Sequence, residues 1–185
     1  MAHQSIWYME KVSKEICNKA REEFEKYPTK KAAIGFDSGL VEDKFRDTTV
    51  TFIPDTHWYT KTMYDFGIRG NETCEWGFDI TQGEHIQFAE YAPGQHYDWH
   101  MDTFFLTPIE KSKTDRKVTV VCLMNDNSEF EEGELQIRME GAEYTVPLEK
   151  GSMVAFPSFL FHRVVPVKSG LRKSATMWLG GPRFK

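Results

Sequence analysis

What most limits the fold of this chain is the succession of short, alternating, β-branched runs that fills it from Trp76 onward. Ile86–Tyr91 alternates well and is followed by a Pro93-Gly94 turn. Further strands are predicted over 117–124, 134–139, 143–147, 152–156, 161–166 and 173–179, with the acidic loop 125–133 between the first two. Before them, Ser13 is placed to cap a helix running to about Tyr27, with Ile16, Ala20 and Phe24 as its apolar stripe. Segment 30–39 has loop character, and Arg46–Pro54 reads as a strand ended by proline. The pattern predicts an α+β, mainly β chain of one domain spanning 1–185, with a helical part over about 1–70 and a double-sheet β core over about 76–182. Strand counting alone does not select among sandwiches.

Inside the β region, His100-Met101-Asp102 sets an imidazole and a carboxylate two residues apart. Alternate side chains of an extended strand point the same way, so both can address one point. His162, closing the apolar run from Phe156, offers a third ligand. Two histidines and one carboxylate suit non-haem Fe(II), because they occupy one face of an octahedron and leave the other positions open. Ten residues further on stands Arg172, with the alternating run 175–179 behind it. A guanidinium near such a centre grips a carboxylate through two parallel charge-assisted hydrogen bonds. Arg172 and Lys173 cannot both enter one pocket, since neighbours on a strand face opposite ways.

His96 and Asp98 share the alternation of His100 and Asp102. Four ligands from one strand would spread over ~20 Å, at ~6.6 Å per alternate pair, too far to meet at one ion. His96 is therefore read as a surface residue or a neighbour of the site, and His3, His57 and His85 carry no supporting pattern.

Taken jointly, Tyr91-x-x-Gly94, His100-x-Asp102, Gly133-Glu134-Leu135 and Phe156-Pro157-Ser158…His162…Gly170-x-Arg172-x-Ser174 resemble the 2-oxoglutarate and Fe(II)-dependent oxygenases of the prolyl 4-hydroxylase type. The likeness is closest to the small microbial and viral PKHD-type hydroxylases and runs from about Asp47 to Pro182. It implies a double-stranded β-helix, or jelly-roll, and a helix carrying Trp58, Met63 and Phe66 after the Arg46 strand. It implies His100, Asp102 and His162 as Fe(II) ligands, Arg172 as the clamp on the far carboxylate of 2-oxoglutarate, and Tyr91 in the cosubstrate pocket. The implied reaction consumes O2, releases succinate and CO2, and hydroxylates a prolyl residue of a peptide or protein, with ascorbate supporting activity. The chain departs from some prolyl hydroxylases at Cys122 and Leu123, where a second tyrosine would assist the clamp. Trp99 and Trp178 are read as packing residues, with a place along the substrate path as the alternative.

The formal net charge of −5 argues against nucleic acid as partner, although Lys111, Lys113, Arg116 and Lys117 form a local basic stretch. No run reaches the ~20 apolar residues of a membrane helix, no signal-peptide pattern opens the chain, and Cys17, Cys74 and Cys122 have no disulfide or metal spacing. A soluble, cytoplasmic protein is expected, of unknown oligomeric state. Segments 30–43 and 104–116 are candidate lids, being long, polar and near the motifs. Two other readings stay open: the same chemistry on a free amino acid or a methylated nucleobase, and a jelly-roll metal-binding protein without oxygenase activity.

Overall fold

Alternation along each strand decides which face of the molecule its residues serve. The computed structural model describes residues 6–32, 44–103, 105 and 112–184. In chain order they form β1 (Tyr8–Lys11), α1 (Lys14–Phe24), β2 (Thr29–Lys31), β3 (Arg46–Asp47), β4 (Thr49–Ile53), α2 (Trp58–Thr73), β5 (Gln82–Gly83), β6 (Ile86–Tyr91), β7 (His96–His100), β8 (Thr114–Leu123) and β9 (Phe130–Glu132). There follow β10 (Leu135–Met139), β11 (Ala142–Thr145), β12 (Ser152–Pro157), β13 (Phe161–Val164), β14 (Val167–Gly170) and β15 (Arg172–Pro182).

The strands form a major sheet in the order β1-β12-β8-β15-β6-β4-β2, with β5 also on β15, and a minor sheet in the order β11-β10-β13-β7-β3. A separate β14-β9 ribbon completes the set. The major sheet is buried on both faces. On one, Cys17, Ala20 and Phe24 of α1 and Tyr59, Met63 and Phe66 of α2 pack against Ile86, Phe88, Val118, Val120, Cys122, Met177 and Leu179. On the other, Val121, Leu123, Val154 and Phe156 meet Leu135 and Ile137 of the minor sheet. Two facing antiparallel sheets with helices on one outer side are the expected jelly-roll arrangement. No helix among the described residues is long and apolar enough to cross a membrane.

The details differ from expectation in physical ways. Ser13 caps α1, its hydroxyl accepting from the Ile16 N–H, but Ile16 is 43% exposed and Cys17 takes its place in the buried stripe. The single strand expected over 46–54 is two strands. It switches sheets at Thr48, whose hydroxyl donates to the Glu90 carbonyl at 2.7 Å, so β3 pairs with β7 and β4 with β6. The residues before 70 are not a purely helical part, because they supply four strands, and Trp58 is a half-exposed surface residue whose Nε1 donates to Glu23. The basic stretch is not one patch: Arg116 pairs with Glu84, Lys117 is buried with its ammonium over the Phe184 ring, and Lys111 lies outside the described residues. Positions 33–43, 104 and 106–111 of the candidate lids also lie outside them, whereas Lys30 and Lys31 belong to β2 and 114–116 to β8.

Candidate active site

Between the two sheets lies a small cavity. Its polar lining comes from alternate positions of otherwise apolar strands: Gln87, Thr119, Arg172, Ser174 and Thr176. A polar residue at a doubly buried strand position is costly unless it has partners or a ligand.

His100, Asp102 and His162 also line this cavity, and one ligand atom from each lies within 4.8 Å of the others. The Asp102 oxygens stand 3.7 Å from His100 Nε2 and 3.2 Å from His162 Nε2. His162 and His100 are paired partners in neighbouring strands, β13 and β7. Asp102 follows the end of β7 and is fixed by its backbone, since the N–H groups of Asp102 and Thr103 both donate to the Ser158 carbonyl. No other group of three or more His, Cys, Asp or Glu among the described residues is close enough to hold an ion.

The simple alternation expected through β7 does not hold. The register runs from His162↔His100 to Val164↔Tyr97, so β7 carries an extra residue opposite β13. This bulge turns both Tyr97 and His100 inward. Tyr97 stacks on His100 with ring centroids 3.5 Å apart and 14° between planes. Asp98 is exposed, and the Trp99 ring has the Arg138 and Arg163 guanidiniums against it, 4.1 and 4.7 Å from its centroid. His96 contacts the carbonyls of Gly94 and Lys44 and does not join the cluster.

Both histidines are held in the same way. His100 Nδ1 donates to the Asp98 carbonyl at 2.6 Å and His162 Nδ1 donates to the Leu160 carbonyl at 2.9 Å. A carbonyl can only accept, so each Nδ1 carries hydrogen and each Nε2 is turned to Asp102. Burial, reinforced by the neighbouring His162, pushes the His100 pKa down to about 3. Burial also opposes the charged forms of Asp102 and His162, yet their mutual attraction and hydrogen bond prevail: the carboxyl is held well below its usual range and the imidazole is raised. As a donor set these are a neutral His100, an ionised Asp102 and a His162 that would give up any proton to take a metal.

Across the cavity, Arg172 is 2% exposed, and burial lowers its pKa. Its Nη1 donates to Ser174 Oγ at 3.0 Å, and no carboxylate of the described residues reaches ion-pair distance. A buried guanidinium so placed calls for an anion. Lys173 points the other way, to Glu25 and Glu90. Tyr91, 4% exposed, pairs with Arg172 in register and lies under its guanidinium, 5.5 Å from ring centroid to Cζ. Leu123 and Cys122 occupy opposite faces of β8, so only Leu123 is on the clamp side, and it gives the guanidinium no hydrogen bond.

Sequence reasoning missed several lining residues. Arg46 is 6% exposed, donates to Gln87 Oε1 and covers the Tyr97 ring at 4.5 Å. Trp178, expected to be a packing residue with the substrate path as the alternative, lines the cavity under the Arg116 guanidinium, 3.9 Å away. The available signal was a charged or polar residue at alternate positions of a β-branched run, as in Arg46, Gln87 and Thr119.

A family model described as the 2OG-Fe(II) oxygenase superfamily matches residues 86–180. A PKHD-type hydroxylase of Parvibaculum lavamentivorans is 34% identical over 94 residues, 51% of this chain and 41% of that protein. One of Shewanella baltica is 33% identical over 93 residues, 50% of this chain and 41% of that protein. The match thus spans well under half the length of these relatives. Among solved structures, a Pseudomonas putida prolyl-4-hydroxylase superposes with TM-score 0.70 at 21% identity, over 96% of this chain and 93% of that one. A viral collagen prolyl hydroxylase from Paramecium Bursaria Chlorella virus-1, in its 2OG complex, gives 0.71 at 20% identity, over 96% and 97%.

Proposed function

The chain belongs to the 2OG-Fe(II) oxygenase superfamily, and from that premise we propose that it is an Fe(II)- and 2-oxoglutarate-dependent dioxygenase that hydroxylates a prolyl residue of a peptide or protein. The observation that carries this reading is one cavity holding a His-Asp-His cluster and, separately, a buried guanidinium that has no carboxylate partner among the described residues. A metal site alone has no use for the second feature.

His100, Asp102 and His162 would hold the iron through Nε2, a carboxylate oxygen and Nε2. Arg172 would receive the far carboxylate of 2-oxoglutarate, with the Tyr91 ring beneath its guanidinium. Iron, 2-oxoglutarate and O2 would together supply the oxidising power, with one oxygen atom going to the substrate and the other to succinate as CO2 is released. The protein's own work is to fix the ligands, screen the cavity from water with Tyr97 and Trp178, and keep charge where the dicarboxylate needs it. The prolyl assignment is supported by the prolyl hydroxylases among the similar structures, one of them, from Trichoplax adhaerens, in complex with a hypoxia inducible factor peptide.

The test begins without substrate. Fe(II) protein kept free of oxygen is mixed with 2-oxoglutarate, and the visible metal-to-ligand charge-transfer band of a chelated keto acid is followed. The band is expected in the wild type, lost in His162→Ala and shifted to much higher 2-oxoglutarate in Arg172→Ala. Metal binding with no band in the wild type refutes the oxygenase reading. Proline-containing peptides, free amino acids and methylated oligonucleotides are then compared for succinate release and gain of one oxygen; turnover confined to either of the last two refutes the prolyl assignment.

A further inference from the structure

We propose that Asn125 and Gly133 are the positioning residues of the Arg172 clamp: Asn125 fixes its backbone and Gly133 the direction of its stem. The inference rests on the reading of Arg172 as the receiver of the cosubstrate's far carboxylate.

Asn125 follows the last residues of β8 and is 0% exposed, an uncommon place for an amide side chain. Its Nδ2 donates to the Leu171 carbonyl at 2.7 Å, and its Oδ1 accepts from the Lys173 N–H at 2.8 Å. These groups belong to the two peptide units that flank Arg172. The β8–β15 ladder begins only at Ser174↔Leu123, and Arg172 itself is paired on the other side alone, to Tyr91 of β6. One side chain thus replaces the missing stretch of β8 and holds the clamp residue in extended conformation. Asparagine suits both bonds because it offers a donor and an acceptor on one rigid plane.

Gly133 meets the same arginine from the side. Its φ is +80°, and a Cβ there would lie 3.0 Å from Arg172 Cδ and 2.8 Å from Val167 Cγ2. The stem therefore runs against bare backbone. Backbone and stem are fixed, while among the described residues the guanidinium keeps only the Ser174 Oγ bond. This is a preorganised receptor, rigid up to the group that must stay open for its ligand. Asn125 does not line the cavity, so it acts through Arg172 and not on the cosubstrate.

The experiment is the charge-transfer titration with Asn125→Ala, Asn125→Asp and Gly133→Ala, beside separate Fe(II) titrations. Each variant is expected to need about tenfold to hundredfold more 2-oxoglutarate for half the band, with Fe(II) affinity within about twofold of wild type. Asn125→Asp keeps the acceptor for the Lys173 N–H but sets a carboxylate against the Leu171 carbonyl; it carries the test if Asn125→Ala does not fold. A half-saturation within twofold of wild type overturns the proposal, as does a parallel fall in Fe(II) affinity, the mark of general disruption. Absence of the band in the wild type instead refutes the cosubstrate reading itself and the proposal with it.

Discussion

Thr119 donates its hydroxyl hydrogen to Asp102 Oδ2 at 2.8 Å. Its oxygen lies 2.9 Å from Ser158 Oγ. With the Thr119 hydrogen directed to the carboxylate, Ser158 must be the donor to Thr119. A relay of two buried hydroxyls thus orients the carboxylate, while the Ser158 carbonyl holds the backbone beneath it. Thr119→Val removes the hydroxyl and nearly preserves shape. Fe(II) affinity should fall about tenfold to hundredfold, with Thr119→Ser retaining most of it, as measured by competition with a chromophoric chelator. A valine variant that binds Fe(II) as tightly as wild type would show the relay to be irrelevant to the metal.

The Tyr97 ring, stacked on His100 with the Arg46 guanidinium 4.5 Å over it, keeps the imidazole from rotating. Burial raises the phenol's pKa to about 12, so it stays protonated throughout the ordinary pH range. The ring, not the hydroxyl, does the holding. Tyr97→Phe should keep Fe(II) affinity, whereas Tyr97→Ala should weaken it several-fold as His100 gains freedom. Equal loss in both variants would move the role to the hydroxyl.

Helix α2 approaches the major sheet at Gly67, where a Cβ would come within 2.6 Å of Leu179 Cδ2 and 2.9 Å of Val120 Cγ2. Alanine at an exposed helical position would stabilise by up to about 1 kcal/mol. Here overpacking costs about 1–3 kcal/mol and outweighs it. Gly67→Ala should therefore lower the urea midpoint with the slope unchanged. A raised midpoint would mean that the helix shifts without strain.

The two-sheet architecture was legible because 86–91 carries its own alternation and turn signal, and 152–156 is a short apolar run of strand length. Short β1, β2, β5, β9 and β14 were not, since strands of two to four residues owe their pairing to neighbours and not to local preference. That His100, Asp102 and His162 come together, and that Arg172 lines the same cavity, was legible from side-chain chemistry and spacing. The bulge at Asp98 and Trp99 was hidden, because it arises from pairing with β13, and it changed which residues of β7 face inward. Asn125 read as the start of an acidic loop; its bonds to Leu171 and Lys173 span more than forty residues of sequence and leave no local trace.

Arg172→Lys tests what the guanidinium supplies beyond charge. A lysine at this depth keeps one positive charge but loses the planar pair of donors that matches a carboxylate. Loss of one charge-assisted hydrogen bond costs about 1.5–3 kcal/mol, or roughly a tenfold to hundredfold rise in the 2-oxoglutarate needed for half the charge-transfer band. A pH dependence should separate the two residues further. Burial lowers the pKa of both, but a guanidinium starts so far above the physiological range that Arg172 stays charged, whereas a buried lysine falls toward neutrality. The folded-state shift is downward, so the cation is present at low pH and lost as pH rises through the lowered value. Between about pH 7 and 9, 2-oxoglutarate affinity should hold in the wild type and decline in the lysine variant. A lysine variant that matches wild type in both half-saturation and pH profile would show that charge alone suffices.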